Sequence, residues 1–378
     1  MSPPVDLFDL AVNGRGVKTP IAIAAMAGTV DAAYVAARAE HIGMGFIGGY
    51  SIDPPTIAAS RRMTESGRCE FLPDDPIGEL KRQADLLAAI PVAGGINLRA
   101  STPEALSVVA DSLGDRVVYE IDAHCRQAPM VEAGSGEFLL HHPDRLIGMV
   151  RALKSEGVLV SVKIRAGVSE SDPKLGRRLW EAGADLLHVD LMDAGYAKIR
   201  QIRNASPIMI IANNSMQSFD RVMEMFSHGA DLVSLARRSD IQTLAGLDAA
   251  ITRYANEFGW YNAPKQLCRG GDIRALTFCC LPVKDCPLLP TLSKVGLSQD
   301  EYVSIKKEAV KGTTLEEGPY TCFGSLAWCC KASSPCLLRD ATLEQMGISK
   351  KEYMKRKREL SRAIMGRVFS PRDGHDTG

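Results

Sequence analysis

From Pro20 to about Asn256, short β-rich apolar runs alternate with segments whose apolar residues recur at helical spacing. The runs are Pro20–Met26, Gly45–Gly49, Val92–Leu98, Val117–Ala123, Leu159–Arg165, Leu186–Leu191, Ile208–Asn213 and Leu232–Arg237. Between them lie patterns such as Asp31–His41, Pro143–Lys154 and Ser218–His228, which predict helices packed by one apolar stripe. Eight strand–helix units in this span predict an α/β chain whose first part, residues 1–260, is a (β/α)8 TIM barrel. A doubly wound sheet is the competing reading, but no Gly-x-Gly-x-x-Gly follows the first run.

Polar residues interrupt these strands in a patterned way. Period two puts Glu120 with Asp122, Lys163 with Arg165, and His188 with Asp190 on shared strand faces. Asn97 lies near the end of the third run and Asn213 ends the seventh. Charges of both signs inside apolar strands are costly unless paired or facing a wet cavity. Their grouping predicts a ligand site at the barrel mouth, where the C-terminal strand ends meet.

The barrel pattern stops before a tail of different character, residues 261–378. Eight of the ten cysteines sit there in two repeated units. Cys268, Cys279, Cys280 and Cys286 form the first; Cys322, Cys329, Cys330 and Cys336 form the second. Each unit runs into a segment opening Ser298-Gln-Asp-Glu301 or Ser349-Lys-Lys-Glu352, predicting a cysteine loop and then a helix with a capping box, twice. Four thiolates per unit suit either two [4Fe–4S] clusters or all-cysteine zinc sites. The absence of Cys-x-x-Cys knuckles favours iron–sulfur. Cys69 has no partner by spacing.

Overall charge is zero, which argues against a dedicated nucleic-acid binder, although from Lys265 onward 19 basic residues face 13 acidic ones. No apolar run is long enough to span a bilayer, and the opening Met-Ser-Pro-Pro lacks the pattern of a secretory leader. The expectation is a cytoplasmic protein with reduced thiols.

Five motifs give this barrel a family likeness. Ala25-Met26-Ala27-Gly28-Thr29-Val30-Asp31 resembles the Ala-Pro-Met-x-Gly-Val-Thr-Asp opening of the dihydrouridine synthase family of flavin barrels. Ile121-Asp122-Ala123-His124-Cys125, then Gly134-Ser135-Gly136 with Leu139-Leu140, is similar to its Ile-Asn-x-Gly-Cys-Pro and Gly-x-Gly-x-x-Leu-Leu. Lys163-Ile164-Arg165 resembles its Val-Lys-Ile-Arg strand, and Gly229-Ala230-Asp231 through Ala236-Arg237 its last element. Dihydroorotate dehydrogenases share the barrel and the flavin.

The resemblance implies FMN at the barrel mouth, with the backbone of Met26, Ala27 and Gly28 along the ring. It implies an amide contact from Asn97 and a cation, Lys163, at the N1/C2 edge of the ring. Asp122 takes the place of the family's asparagine in that region. Asn213, Asn214, Ala236 and Arg237 stand where the phosphate would bind. Cys125 corresponds to the thiol that protonates substrate carbon. Two departures surround it: His124 and Arg126 replace a glycine and a proline, and if close they would depress the thiol and favour thiolate. Asp190 replaces the family's strand-six histidine, and with His124 and Cys125 completes the expected catalytic group. Asn214 and Ala236 replace phosphate-loop glycines; asparagine tolerates a left-handed backbone, alanine less readily.

The stretch Cys268-Arg269-Gly270-Gly271-Asp272 through Cys280 closely resembles an archaeal family known as methanogenesis marker protein nine, where the synthases would carry a helical RNA-binding domain. Together the resemblances imply a flavin-dependent, iron–sulfur oxidoreductase of methanogenic archaea. Its substrate would be a small molecule or protein, and an electron-donor protein its partner. A tRNA dihydrouridine synthase-like enzyme and a non-catalytic cluster-carrying assembly factor are the alternatives.

Overall fold

The computed structural model describes residues 7–192, 195–279, 288–316, 326–331 and 333–370. Two compact units divide the chain: residues 1–225 with 230–252, and residues 226–229 with 253–378.

The first unit is a closed barrel of eight parallel strands in sequence order. They are β1 (Ile21–Ile23), β2 (Met44–Ser51), β3 (Ala93–Arg99), β4 (Val118–Ala123), β5 (Val160–Arg165), β6 (Leu186–Asp190), β7 (Met209–Asn213) and β8 (Leu232–Leu235). Each falls within one residue or a few of an apolar run of the sequence. The helices Pro143–Ser155 and Phe219–Ser227 match their expected spans. The first does not: it is a short helix Ala32–Ala36 and a separate 3-10 turn Ala39–His41. The break comes at Arg38, whose guanidinium leaves the helix line to bond Ser239 O and Tyr34 O. Two helices, Pro54–Glu65 and Pro76–Ala88, rather than one, join β2 to β3.

Polarity is graded along the barrel axis. At the strand starts, Ala22, Met44, Phe46, Ala93, Val118, Leu186, Ile211 and Leu232 form one apolar cluster with Val12 and Val17 of an N-terminal hairpin. Above it the even strands supply Phe46, Glu120, His188 and Ser234, one side chain per alternate strand as barrel layers require. Registers then align Asp122 with Lys163 and Arg165 with Asp190, so the remaining charges rise together toward the C-terminal ends.

In the second unit, helices Leu288–Lys294, Gln299–Val310, Leu337–Gln345 and Lys350–Phe369 accompany 3-10 turns at Ile273–Phe278 and Leu326–Trp328. Ser298 and Glu301 form the expected capping box. At the second helix only half of it is present: Ser349 Oγ accepts from Glu352 N–H. Glu352 instead pairs with Arg356 at 2.9 Å, so a side chain within the helix competes for the carboxylate. Among the described residues of this unit, two lysines are fully buried. Lys306 Nζ donates to Thr277 O (3.1 Å) and Cys279 O (2.8 Å), and Lys357 Nζ to Thr277 O (3.1 Å) and Ala327 O (2.6 Å).

Candidate active site at the barrel mouth

A cavity of about 1170 Å³ opens at the C-terminal ends of the strands. Its lining includes Met26, Ala27, Asn97, Asp122, His124, Cys125, Lys163, Asp190, Asn213, Asn214, Ala236 and Arg237. Every catalytic or flavin position expected from the sequence thus borders one space, except Gly28, which supports the wall from behind. Gly28 has φ +67°, and a Cβ there would lie 2.5 Å from the Cys69 carbonyl carbon, so only glycine allows the two loops to meet.

The floor is a buried polar chain. Asn97 Nδ2 donates to Glu120 Oε1 (2.9 Å), and Glu120 Oε2 accepts from Ser161 Oγ (3.1 Å) and meets His188 Nδ1 (2.8 Å). His188 Nε2 meets Ser234 Oγ (2.7 Å), which accepts from Asn213 Nδ2 (2.7 Å). Burial pushes the His188 imidazole below its usual range. Burial opposes ionisation of Glu120 too, but His188, Lys163 and Asn97 outweigh it and keep the carboxylate. A neutral imidazole with the proton on Nδ1, donating to carboxylate and accepting from Ser234, satisfies every contact. The chain's consequence is orientation: with Nδ2 committed to Glu120, Asn97 turns Oδ1 toward Gly49.

Above it, Asp122 organises the Cys125 loop. Its Oδ1 accepts from the backbone N–H groups of His124 (2.9 Å) and Cys125 (3.0 Å), and Oδ2 accepts from Arg99 Nε (3.0 Å). Arg99 in turn bonds Glu70 Oε2 at 2.5 Å. Burial works against the Asp122 charge, yet Arg99 and His124 hold the carboxyl below its ordinary value. Gly136 closes the other side at φ +61°, with a hypothetical Cβ only 2.2 Å from Cys125 O, where Glu137 N–H bonds. The expectation of a depressed thiol fails here. Burial pushes the Cys125 thiol up, with Arg99 only partly offsetting it. Arg126 is exposed, and the His124 ring turns to Asp190, Nε2 to Oδ2 at 2.6 Å. Cys125 therefore holds a proton at neutral pH. For Asp190, burial is outweighed by the His124 hydrogen bond and charge, with help from Met192 N–H and Arg165, and its carboxyl is lowered to about 2.

Lys163 Nζ reaches Ala25 O at 3.3 Å, against the segment expected beneath a flavin ring. At the opposite end Asn214 (φ +95°) and Ser215 (φ +58°) are consecutive left-handed residues. Such a turn presents backbone N–H groups to an anion. Asn214 thus adopts the glycine-like backbone that its position asks for, while Ala236 is not among the positive-φ residues and needs no glycine. Neutral backbone, a fixed amide, an ammonium and an anion-binding turn with Arg237 form a set that fits FMN.

Sequence reasoning missed Arg99 and Glu70. Arg99 was accessible by period two from Asn97 on β3; Glu70, in a loop before Phe71, carried no signal. Of the expected metal ligands, Cys280, Cys286 and Cys322 lie outside the described residues. Cys279 and Cys329 are buried, Cys330 and Cys336 half-buried, and Cys268 exposed. Among the described residues no three His, Cys, Asp or Glu side chains converge on a metal position.

Residues 96–240 match the family model described as dihydrouridine synthase (Dus). The chain is 49% identical over 107 residues to uncharacterized protein MJ0115 of Methanocaldococcus jannaschii, a match covering 28% of this chain and 69% of that protein. The chain belongs to the family of that protein. It is also 26% identical over 231 residues to uncharacterized protein MJ0144 of the same organism, covering 57% of this chain and 88% of the relative. A probable tRNA-dihydrouridine synthase of Rhizobium leguminosarum bv. phaseoli is 26% identical over 147 residues, or 35% of this chain; the chain spans 46% of its length. Among solved structures, a FabK mutant from Thermotoga maritima aligns over 59% of this chain and 62% of that one, at 18% identity and a TM-score of 0.38. Among the described residues no helix is long and apolar enough to cross a membrane.

Proposed function

We propose that the chain is an FMN-dependent oxidoreductase acting on a substrate bound beside Cys125. The observation that carries this reading is the single cavity in which Asn97, Lys163 and the Asn214–Ser215 turn face the same space as a protonated thiol. Bound FMN would supply hydride chemistry. Asn97, oriented by Glu120, would read the ring edge, and Lys163 would place positive charge where electron density accumulates. Asn214, Ser215 and Arg237 would hold the phosphate. Cys125, its loop pinned by Asp122, would deliver the proton.

The test is anaerobic purification of the full chain with flavin analysis. Stoichiometric FMN that a dithionite titration reduces is expected, and Lys163→Met should weaken FMN retention by about tenfold, the loss of one charge-assisted contact. A folded protein that neither retains nor rebinds FMN would sink the reading.

The eight repeated cysteines are the support for the finer part of the proposal, iron–sulfur clusters feeding electrons to the flavin in a methanogen. Iron analysis of the same sample decides it: a colourless, iron-free tail removes that part and leaves the flavin site standing. The Dus match over residues 96–240 favours a second reading, dihydrouridine synthesis in tRNA. One feature weighs against it: Asp122, kept ionised beside Arg99, only accepts hydrogen bonds and offers a base no donor. Dihydrouridine mapping in a deletion strain separates the two.

A further inference from the structure

The cavity is charged unevenly. Asp122 and Asp190 are the carboxylates among its lining residues, and both are engaged, by Arg99 and by His124. Around Cys125 stand three further guanidinium groups that line the space: Arg68, Arg126 and Arg165. Arg126 follows Cys125 directly, and among the described residues no carboxylate pairs with it. Arg68 follows helix Pro54–Glu65, whose Ala59 and Met63 pack on Cys125 and Met130. Its nearest carboxylate oxygen, on Glu70, is 3.8 Å away, and the other Glu70 oxygen is taken by Arg99.

Arg165 is the decisive member. Its side chain is nine-tenths buried, and its Nε makes no hydrogen bond, although Glu137 lies 3.3 Å away. One terminal nitrogen rests on the Met192 thioether (2.9 Å), a weak acceptor, and the other on His124 O at 3.3 Å. A buried guanidinium whose ion-pair partner, Glu137, is out of hydrogen-bond alignment, beside two exposed ones, suits a planar anion.

The geometry points to a carboxylate-binding subsite formed by Arg68, Arg126 and Arg165 beside Cys125, and so to an anionic, carboxylate-bearing small molecule as the substrate. The inference rests on the reading that Cys125 stands at the reacting end, and deepens it by naming the substrate class.

Cys125 itself reports on the subsite. Iodoacetate and iodoacetamide alkylate thiols by the same step: the sulfur displaces iodide from the α-carbon, a C–S bond forms, and the thiol proton passes to solvent. They differ in one carboxylate. The reduced full chain is treated with each, and the rates at the Cys125 and Cys268 peptides are followed by mass spectrometry. Exposed Cys268 supplies the reference preference in the same tube. Iodoacetate should outpace iodoacetamide at Cys125 relative to Cys268, and its rate should saturate with concentration. Arg126→Gln should slow iodoacetate at Cys125 by about tenfold or more, the loss of one charge-assisted hydrogen bond, and leave iodoacetamide nearly unchanged. The same preference at both cysteines, a linear iodoacetate dependence, or a Cys125 that resists both reagents would overturn the proposal. No flavin is needed, so a failed FMN reading and a failed carboxylate subsite give different results.

Discussion

Two buried cations, Arg99 in the barrel and Lys357 in the second unit, are held in opposite ways. Arg99 lies between Asp122 and Glu70, and the charges are spent on holding the Cys125 loop. In the second unit, the ammonium of Lys357 is fully buried on two carbonyls, Thr277 O and Ala327 O. Carbonyls solvate a cation without neutralising it. The barrel arrangement fixes geometry around a site. The tail arrangement ties the turn before Cys279 to the turn before Cys329 through one side chain. Lys306 repeats the device: it sits eight residues after its capping serine, as Lys357 does, and its Nζ lies 4.4 Å from the centre of the Trp328 ring.

The largest effect that separates the two modes is on stability. Arg99→Met leaves Asp122 and Glu70 buried without their shared cation and should cost the barrel about 3–5 kcal/mol. Lys357→Met removes the charge together with its own burial cost and orphans two carbonyls, for a smaller loss of about 1–3 kcal/mol. Urea unfolding followed by fluorescence, with Trp180 reporting the first unit and Trp260 and Trp328 the second, measures both. Equal losses would mean that the lysine is as firmly paired as the arginine.

Most of this barrel could be read from the chain because its strands bury both faces. Continuous apolar stretches such as Met209–Ala212 then stand out, and in Val160–Arg165 period two sorts the polar exceptions onto one face. The mouth was legible for the same reason, down to Asn97, Asp122 and Lys163. What escaped was long-range. Glu70 pairs with an arginine 29 positions away, and no local pattern carries that information. The Cys125 thiol was expected low from its neighbours in sequence. Which way a ring turns is settled by a partner on another strand, and Asp190 claims His124. In the tail the cysteine spacing was plain, but Lys306 and Lys357 lie on two helices whose charged residues read as solvated.

The pH dependence should have the same sign in both units but fall in different windows for opposite physical reasons. Asp190 in the folded chain is lowered to about 2 from an ordinary 3.8. A depressed carboxyl stabilises above its unfolded value, so that contribution is lost as pH falls from about 4 toward 2, and is worth about 2 kcal/mol. Lys357 is also lowered, but because its charged form is the one disfavoured. Burial, only partly opposed by Cys329 and Cys279, lowers it from 10.5 to about 7. Below pH 7 both folded and unfolded chains carry the proton and the burial cost is present in full; as pH rises from 7 to 10.5 the unfolded chain binds more protons and stability increases. Melting curves of the reduced, metal-free chain should therefore show a Lys357-dependent gain on the alkaline side, absent in Lys357→Met. Asp190→Asn should remove its own share of the acid-side loss and leave the shares of Asp122 and Glu120.

The smallest contrast lies within the tail, between its two copies. Ser298 caps its helix reciprocally with Glu301, whereas Ser349 only accepts from Glu352 while Glu352 pairs with Arg356. Ser298→Ala removes a hydrogen bond and strands the Glu301 partner, for about 1 kcal/mol. Ser349→Ala should cost less, and Arg356→Gln should restore some of the difference by releasing Glu352 to close its own box. Hydrogen exchange at the amides of Glu301 and Glu352 resolves effects of this size. If the two serines cost the same and Arg356→Gln changes neither, the asymmetry of the caps has no energetic weight, and the copies differ only in what their cysteines do.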